Sequence, residues 1–315
     1  MTVRDIIERY GTALAGFVLF TVFAVTAPRF LDPTNLLNVM KHASVLALFA
    51  LGVTLALVTA ELDLSFASVA SLAAVLTGYL VHKGYAIPLA VATGLGVGIV
   101  SGFFNGLLVT RLKVPSLIAT LGTAAIANGF AFWATQGVAF VGRWPAEFTV
   151  LARGSVLGIP APVLWVALAA IVITVMLKQT RLGLHMTATG DADEAARLAG
   201  IATTRMKLIG MTLSGLFAGI GAVLLAANLS SAAPNMAGDY LLQAIAAVLL
   251  GMTMFEPGHA NVPGALVGAL ILALLNNGLV LIGAPYFMQD ILLGLTIVAS
   301  VALSASVLKR AAFAV

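Results

Sequence analysis

The chain has 315 residues, of which 61% are hydrophobic and only 9% are charged, and its mean hydropathy is +1.09. Soluble domains carry much more charge, so this composition excludes them and indicates a protein that crosses a membrane several times. The absence of cysteine excludes disulfides and thiolate metal sites. The net charge of +4 forms no basic stripe of the kind that binds nucleic acid, which argues against such a partner.

Ten apolar segments, separated by Gly, Pro or charged residues, approach the roughly 20 residues that a helix needs to cross a bilayer. The predicted fold class is therefore all-α, a polytopic membrane helix bundle of about ten transmembrane helices in a single domain, 1–315. The first span is predicted to be retained, because no small-residue cleavage site follows it. The predicted spans are 12–28, 43–60, 65–82, 86–109, 115–135, 161–178, 207–227, 240–255, 262–283 and 286–306.

The placement of basic residues predicts the orientation of the chain. Loops on the cytoplasmic side of a membrane are enriched in Lys and Arg. If the N-terminus is cytoplasmic, eleven of the 16 Lys and Arg residues fall on that side: Arg4, Arg9, Arg111, Lys113, Lys178, Arg181, Arg197, Arg205, Lys207, Lys309 and Arg310. With ten spans, both termini are then predicted to be cytoplasmic. Two long loops follow, one outside at 137–160 and one inside at 179–206.

A polar break lies between the second and third predicted spans. Asp63 is predicted to cap the third span with support from Ser65, and these two residues form a candidate helix-break motif. Glu61 lies close by, and an ionisable group at or below the membrane surface is unfavourable unless it is paired or hydrated. Farther along, Glu256 and His259 are too few for a metal site, so a hydrated turn and no metal are predicted there.

Glycine recurs at every fourth position of the fourth span, at Gly94, Gly98, Gly102 and Gly106. Such a stripe lets another helix backbone come close, either within one subunit or between two subunits. Shorter pairs on later spans repeat the spacing. A second repetition, NGLLV at 105–109 and NGLVL at 277–281, indicates a possible inverted repeat, an arrangement common in transporters.

Neutral amides are the main polar groups predicted at membrane depth. The candidate translocation path consists of Asn105, Asn128, Gln243, Asn276 and Asn277. Such a lining suits a neutral, hydroxyl-rich solute and argues against a proton- or sodium-driven carrier, which needs intramembrane charge. The alternative for each amide is a hydrogen bond between helices.

The stretch GDADEAARLAGI, residues 190–201, is polar although it lies between two long apolar spans. Asp191 and Glu194 have the spacing of a capping box, and Gly200 suits a C-terminal cap, so a helix of about eight residues is predicted. A helix this short is unstable alone and must pack either on its own bundle or on a soluble partner. Its candidate contact residues are Gly190, Asp191, Asp193, Glu194, Ala195, Ala196, Arg197, Leu198 and Gly200.

The chain contains no phosphate-binding loop of the GxxxxGK type, no HExxH pair and no GxSxG elbow. No catalytic residue and no cofactor are therefore predicted, and an intramembrane enzyme is unsupported. Any use of ATP would have to take place on another chain.

Several segments, in fixed order, resemble the permease subunits of ribose-type sugar ABC importers. They are LDLSFAS at 62–68, GFFNGLLVTRLKVPSLIATLGTAAIANG at 102–129, the loop TRLGLHMTATGDADEAARLAGI at 180–201, LLQAIAAVLLG at 241–251 and VPGALVGALILALLNNGLVLIG at 262–283. The chain departs from that pattern at Ala60 and Glu61, where the family usually has paired glycines, and at 252–259. Both departures bear on the substrate.

The resemblance implies an importer in the bacterial cytoplasmic membrane, in which two permeases, two ATPase subunits and an external solute-binding protein assemble. It implies that 179–206 is a cytoplasmic coupling loop and that residues 190–200 are the coupling helix, which contacts the ATPase. The implied substrate is a monosaccharide or similar neutral polar solute; a nucleoside is the alternative within this class, and an ion-coupled secondary transporter is the alternative outside it. Membrane lipid surrounds the spans, and the permease pair is expected to be a homodimer.

Overall fold

The protein is almost entirely helical. A computed structural model describes the backbone of residues 3–312 and the side chains of residues 12–299. Among the residues with described side chains, six helices are long and apolar enough to cross a membrane. Four shorter apolar segments accompany them, and two of these, Thr12–Thr26 and Phe287–Ala299, are parts of longer helices. Each predicted span coincides with one of these ten helices, so the predicted fold class is confirmed.

Thirteen helices and four two-residue strands make up the described chain. The helices are α1 Val3–Thr26, α2 Pro33–Leu57, α3 Phe66–His82, α4 Ile87–Thr110, α5 Ser116–Thr135, α6 Ala146–Arg153, α7 Ala161–Gln179, α8 Arg181–Asp191, α9 Asp193–Leu198, α10 Thr203–Leu229, α11 Tyr240–Gly251, α12 Val262–Leu281 and α13 Phe287–Ala312. The strands are β1 Phe140–Val141, β2 Ser155–Val156, β3 Ile159–Pro160 and β4 Ser231–Ala232; β1 pairs with β4 and β2 with β3, both antiparallel.

The chain divides into two compact units, one formed by residues 1–50 and 242–315 and the other by 51–241. In the second unit the glycine stripe of α4 packs directly on α10. A Cβ on Gly98 would collide with the carbonyl of Gly215, and one on Gly102 would collide with the carbonyl of Met211. The prediction of close packing within one subunit is confirmed at this contact, because only glycine lets the two backbones approach so closely.

The first unit contains a similar contact and an aromatic core. Gly268 on α12 faces the backbone of Ala247 on α11, where a side chain would not fit. On α12, Gly278 lies against the ring of Phe23 from α1, and Phe23 packs on Phe30 with ring centroids 5.8 Å apart. Small residues therefore set the helix spacing in this unit too.

The loop at 137–160 contains regular secondary structure. It contains α6, whose Phe148 is completely buried, and the β2–β3 hairpin. The tip of that hairpin is Leu157, which is 98% exposed.

The turn at 252–259 is held by an asparagine at the start of α12. The side-chain oxygen of Asn261 accepts a hydrogen bond from the backbone amide of Gly264 at 2.8 Å. Its side-chain nitrogen donates hydrogen bonds to the carbonyls of Met254 and His259, at 3.2 and 3.0 Å. Glu256 and His259 are exposed in this turn. Among the side chains the structure describes, no three His, Asp or Glu residues are grouped as metal ligands would be.

Candidate functional site

The segment 179–206 contains two helices where the sequence predicts one. Thr180 is the N-cap residue of α8. Its hydroxyl accepts a hydrogen bond from the backbone amide of Gly183 at 3.2 Å. The helical bonds of α8 continue to its end, where the amide of Ala192 donates to the carbonyl of Ala188 at 3.2 Å. Asp191 is thus the last residue of α8, and the chain turns at Ala192 into α9.

The predicted capping box is therefore wrong. Ala192 occupies the N-cap position of α9, and no side chain caps this helix. A residue can cap only if its backbone lies outside the helix, and Asp191 is still within α8. Asp193 and Glu194 nevertheless fall in the first turn of α9, where acidic residues are favoured by the helix dipole.

The predicted C-terminal cap at Gly200 is confirmed. Gly200 has a positive φ of 85°, and its amide donates to the carbonyl of Arg197 at 3.0 Å. The next amide, that of Ile201, donates to the carbonyl of Ala196 at 3.0 Å. These two bonds form a Schellman motif, which ends α9 sharply and returns the chain toward α10.

Most of α9 is exposed. Only Ala196 is buried, at 5% exposure, whereas Leu198 is 83% exposed and Ala195 and Arg197 also face outward. Leu198, at the end of this six-residue helix, is thus the large apolar side chain that α9 leaves exposed.

Two ion pairs meet at Lys207, and one of them holds α9 to the rest of the second unit. The Nζ atom of Lys207, near the start of α10, lies 3.0 Å from a carboxylate oxygen of Glu61 and 3.6 Å from one of Asp193. The Glu61 side chain is only 9% exposed, whereas that of Asp193 is 49% exposed. Lys207 thus pairs with a buried acid on one side and a half-exposed acid of α9 on the other.

A polar cavity of about 260 Å³ lies beside these ion pairs. Its walls come from α9, the start of α10, and the turn between α4 and α5, and they include Lys113, Ser116 and Arg197 in addition to the paired residues. The side of α9 that faces this turn is therefore not tightly packed.

The helix-break motif is the centre of a buried hydrogen-bond network. One carboxylate oxygen of Asp63 accepts hydrogen bonds from the backbone amide and the hydroxyl of Ser65, at 2.9 and 2.6 Å. The other oxygen accepts a hydrogen bond from the hydroxyl of Ser214 on α10, at 2.8 Å. Asn105 on α4 donates to the Ser65 hydroxyl at 2.7 Å and accepts from Thr123 on α5. The N-cap residue of α3 is Ser65, not Asp63 as predicted, because α3 begins only at Phe66.

The five amides of the candidate path are divided between the two units, two in the second and three in the first. Asn105 is completely buried in the network just described. Asn128, also in the second unit, has a buried side-chain oxygen for which the described residues provide no partner. In the first unit, Asn276 and Gln243 are 3.5 Å apart, and Asn277 exchanges two bonds with Asn35, at 2.9 and 3.0 Å. Asn105, Gln243, Asn276 and Asn277 thus form hydrogen bonds between helices, and a role of the five amides in a path stays a prediction.

Sequence reasoning overlooked Lys207, Ser214 and Asn35 as partners of these sites. The best available signal was at Lys207, since a lysine at the end of an apolar span needs a counter-charge and Glu61 was already recognised as unfavourable by itself. Ser214 and Asn35 carry no such signal, because hydroxyl and amide groups are common in membrane helices.

Ten apolar helices in sequence define a multi-pass membrane protein of the polytopic helical class. A family model described as branched-chain amino acid transport system / permease component matches residues 35–301, and the chain belongs to this family. It is thus a membrane permease.

Individual permeases are similar to the chain over nearly its whole length. It is 34% identical to the ribose import permease protein of Bacillus subtilis, over 95% of this chain and 93% of that protein. The ribose import permease protein of Escherichia coli is also 34% identical, over 91% of both chains. The autoinducer 2 import system permease protein of Salmonella typhi is 34% identical over 92% of this chain and 84% of that one.

Proposed function

We propose that this chain is the membrane-spanning subunit of an ATP-driven ABC importer for a monosaccharide or similar neutral polar solute. The observation that carries the proposal is the 34% identity to a ribose import permease over 95% of the chain. The absence of a phosphate-binding loop in the sequence agrees with it, since ATP would then be hydrolysed on a separate subunit.

The coupling surface in this proposal is α9 with its flanking residues Gly190 and Gly200. This helix presents Leu198 and Ala195 outward, and it is tied to the bundle through Asp193. An ATPase that binds the exposed face could therefore move α9 and, with it, the helices to which α9 is attached. The permease supplies a bistable element and no bond chemistry.

The full importer in this proposal contains two copies of the chain, two ATPase subunits and an external solute-binding protein. It lies in the bacterial cytoplasmic membrane with both termini in the cytoplasm, as the distribution of Lys and Arg predicts. The binding protein docks on the surface that includes 137–160, where Leu157 is fully exposed, and it performs most of the substrate selection.

The family description names branched-chain amino acids, whereas the similar permeases import ribose or autoinducer 2. The sugar assignment is favoured because the identity to the ribose permeases covers more than nine-tenths of both chains. The neutral amides at membrane depth also suit a hydroxyl-rich solute better than a zwitterion.

A site-specific crosslink tests the coupling surface. Because the chain has no cysteine, Ala195→Cys creates a unique thiol on α9. We expect it to crosslink to the co-purified ATPase carrying a single cysteine in the groove that receives the permease. Leu157→Cys, also exposed but on the other long loop, is the matched control and is expected not to react with the ATPase. An ATPase that co-purifies but never crosslinks at residue 195 would refute the proposed surface.

A further inference from the structure

Glu61 is a buried carboxylate in the break between α2 and α3, residues 58–65. Its counter-ion among the described residues is Lys207, at 3.0 Å. Separating the two partners of a buried ion pair is strongly destabilising, so we expect Lys207 and Glu61 to move together. The break is therefore attached to the start of α10 in this chain.

The same lysine reaches α9. Its 3.6 Å contact with Asp193 is the weaker of the two, because Asp193 is half exposed and exposed ion pairs contribute only about 0–1 kcal/mol. A second contact reinforces the connection: a Cβ on Gly190 would collide with the carbonyl of Val58, so the end of α8 lies directly on the break. The α8–α9 segment thus contacts the break through one packed backbone and one bridging lysine.

From the break, hydrogen bonds lead to three membrane helices. Asp63, two residues after Glu61, accepts a hydrogen bond from the hydroxyl of Ser214 on α10 at 2.8 Å. Ser65 accepts from Asn105 of α4, which accepts in turn from Thr123 of α5. A displacement of the break would change all of these bonds together, since buried polar groups must remain paired.

The cavity of about 260 Å³ provides the space for such a displacement. It lies between α9 and the turn that joins α4 to α5, and Glu61, Asp193 and Lys207 all line it. A shift of α9 toward the turn would therefore meet little steric resistance from packed side chains.

We propose that Lys207 is the positioning residue through which movement of α9 reaches the helix break at 58–65 in this chain. This proposal rests on the proposed function, because it takes α9 to be the element that the ATPase moves. It adds the route inside the permease: from Asp193 through Lys207 to Glu61, and from there to the Asp63 network.

The test follows the break while the ATPase cycles. Ala60→Cys places a unique thiol on an exposed residue of the break, next to Glu61. In the purified permease–ATPase complex, the rate of its reaction with fluorescein maleimide is measured without nucleotide and with ATP plus vanadate. We expect the two rates to differ when residue 207 is lysine.

Lys207→Met is expected to reduce this ATP-dependent change in rate at least about fivefold, the lower limit of typical coupling between sites. Asp193→Asn should reduce it only about twofold, because its contact is half exposed. One matched control should keep the full response: Lys113→Met, which lines the same cavity. Lys113 forms no ion pair within the described residues.

Two further variants separate coupling from folding. Lys207→Arg keeps the charge and should keep the response. The double variant Glu61→Ala/Lys207→Met removes both charges, so it should fold even if Lys207→Met does not, and it should still lose the response. A wild-type response in the double variant, or no response in the parent Ala60→Cys protein, would overturn the proposal.

The crosslink at Ala195→Cys keeps this test distinct from that of the proposed function. Lys207→Met should still crosslink to the ATPase, because the exposed face of α9 is unchanged. If Lys207→Met loses the ATP-dependent change in reaction rate at Ala60→Cys but still crosslinks at Ala195→Cys, the route through Lys207 is supported. A parent protein that never crosslinks would refute the proposed coupling surface, and with it the route through Lys207.

Discussion

Single glycines decide how closely the helices of this permease approach one another. Gly98 has no space for a side chain, because a Cβ would collide with the backbone of Gly215. Gly96 lies on the same helix, yet a Cβ there would meet no atom within 4 Å. The two positions therefore share a helix and a residue type but differ in packing.

We expect Gly98→Ala to destabilise the protein by about 1–3 kcal/mol, the usual effect of overpacking. Gly96→Ala should be neutral or slightly stabilising, because alanine favours helix more than glycine does. Thermal unfolding of the two variants in the same detergent measures the difference, and Gly98→Ala should unfold at a temperature about 2 °C or more below Gly96→Ala. Equal melting temperatures would contradict the close contact between α4 and α10.

The spacing of residues along the chain predicted some caps and helix contacts but not others. The glycine stripe of α4 and the cap at Gly200 follow from local pattern, so the sequence was sufficient for both. The capping box at Asp191 failed because the same residues also fit the end of a preceding helix. The partners Ser214 and Asn35 come from remote segments, and a single sequence carries no information on such contacts.

Among the elements, apolar length was a reliable guide and polar helices were not. Every predicted span coincides with an apolar helix, since membrane-spanning segments must satisfy their backbone bonds internally. The sequence did not distinguish α8 from loop, because its residues, RLGLHMTATGD, are mostly polar or small. Its start is set by Thr180 and its burial by contacts with distant segments, including Val58.

The last residue of α9, Leu198, is exposed. Leu198→Ser should weaken co-purification of the ATPase about tenfold or more, which corresponds to about 1.4 kcal/mol of lost apolar contact. It should leave the melting temperature of the permease unchanged, because the leucine is 83% exposed. Leu157→Ser, at 98% exposure on the β2–β3 hairpin, is the control and should leave co-purification unchanged. Equal ATPase recovery from both variants would contradict a docking role for α9.

For the molecule as a whole, the ten-span bundle could be predicted from composition and apolar length, but its division into two compact units could not. The first and last parts of the chain join in one unit through contacts such as the Asn35–Asn277 pair, which are remote in sequence. The same limitation applied to the candidate path, because its five amides are divided between the two units and four of them form hydrogen bonds to other helices.

We propose that this permease moves its solute only with ATP hydrolysed by a partner. The most direct measurement is uptake of radiolabelled D-ribose into proteoliposomes that contain the permease, its ATPase and its solute-binding protein. We expect accumulation that requires all three proteins and ATP, and none with the permease alone under a proton or sodium gradient. Ribose uptake by the permease alone, driven by such a gradient, would contradict this dependence on ATP.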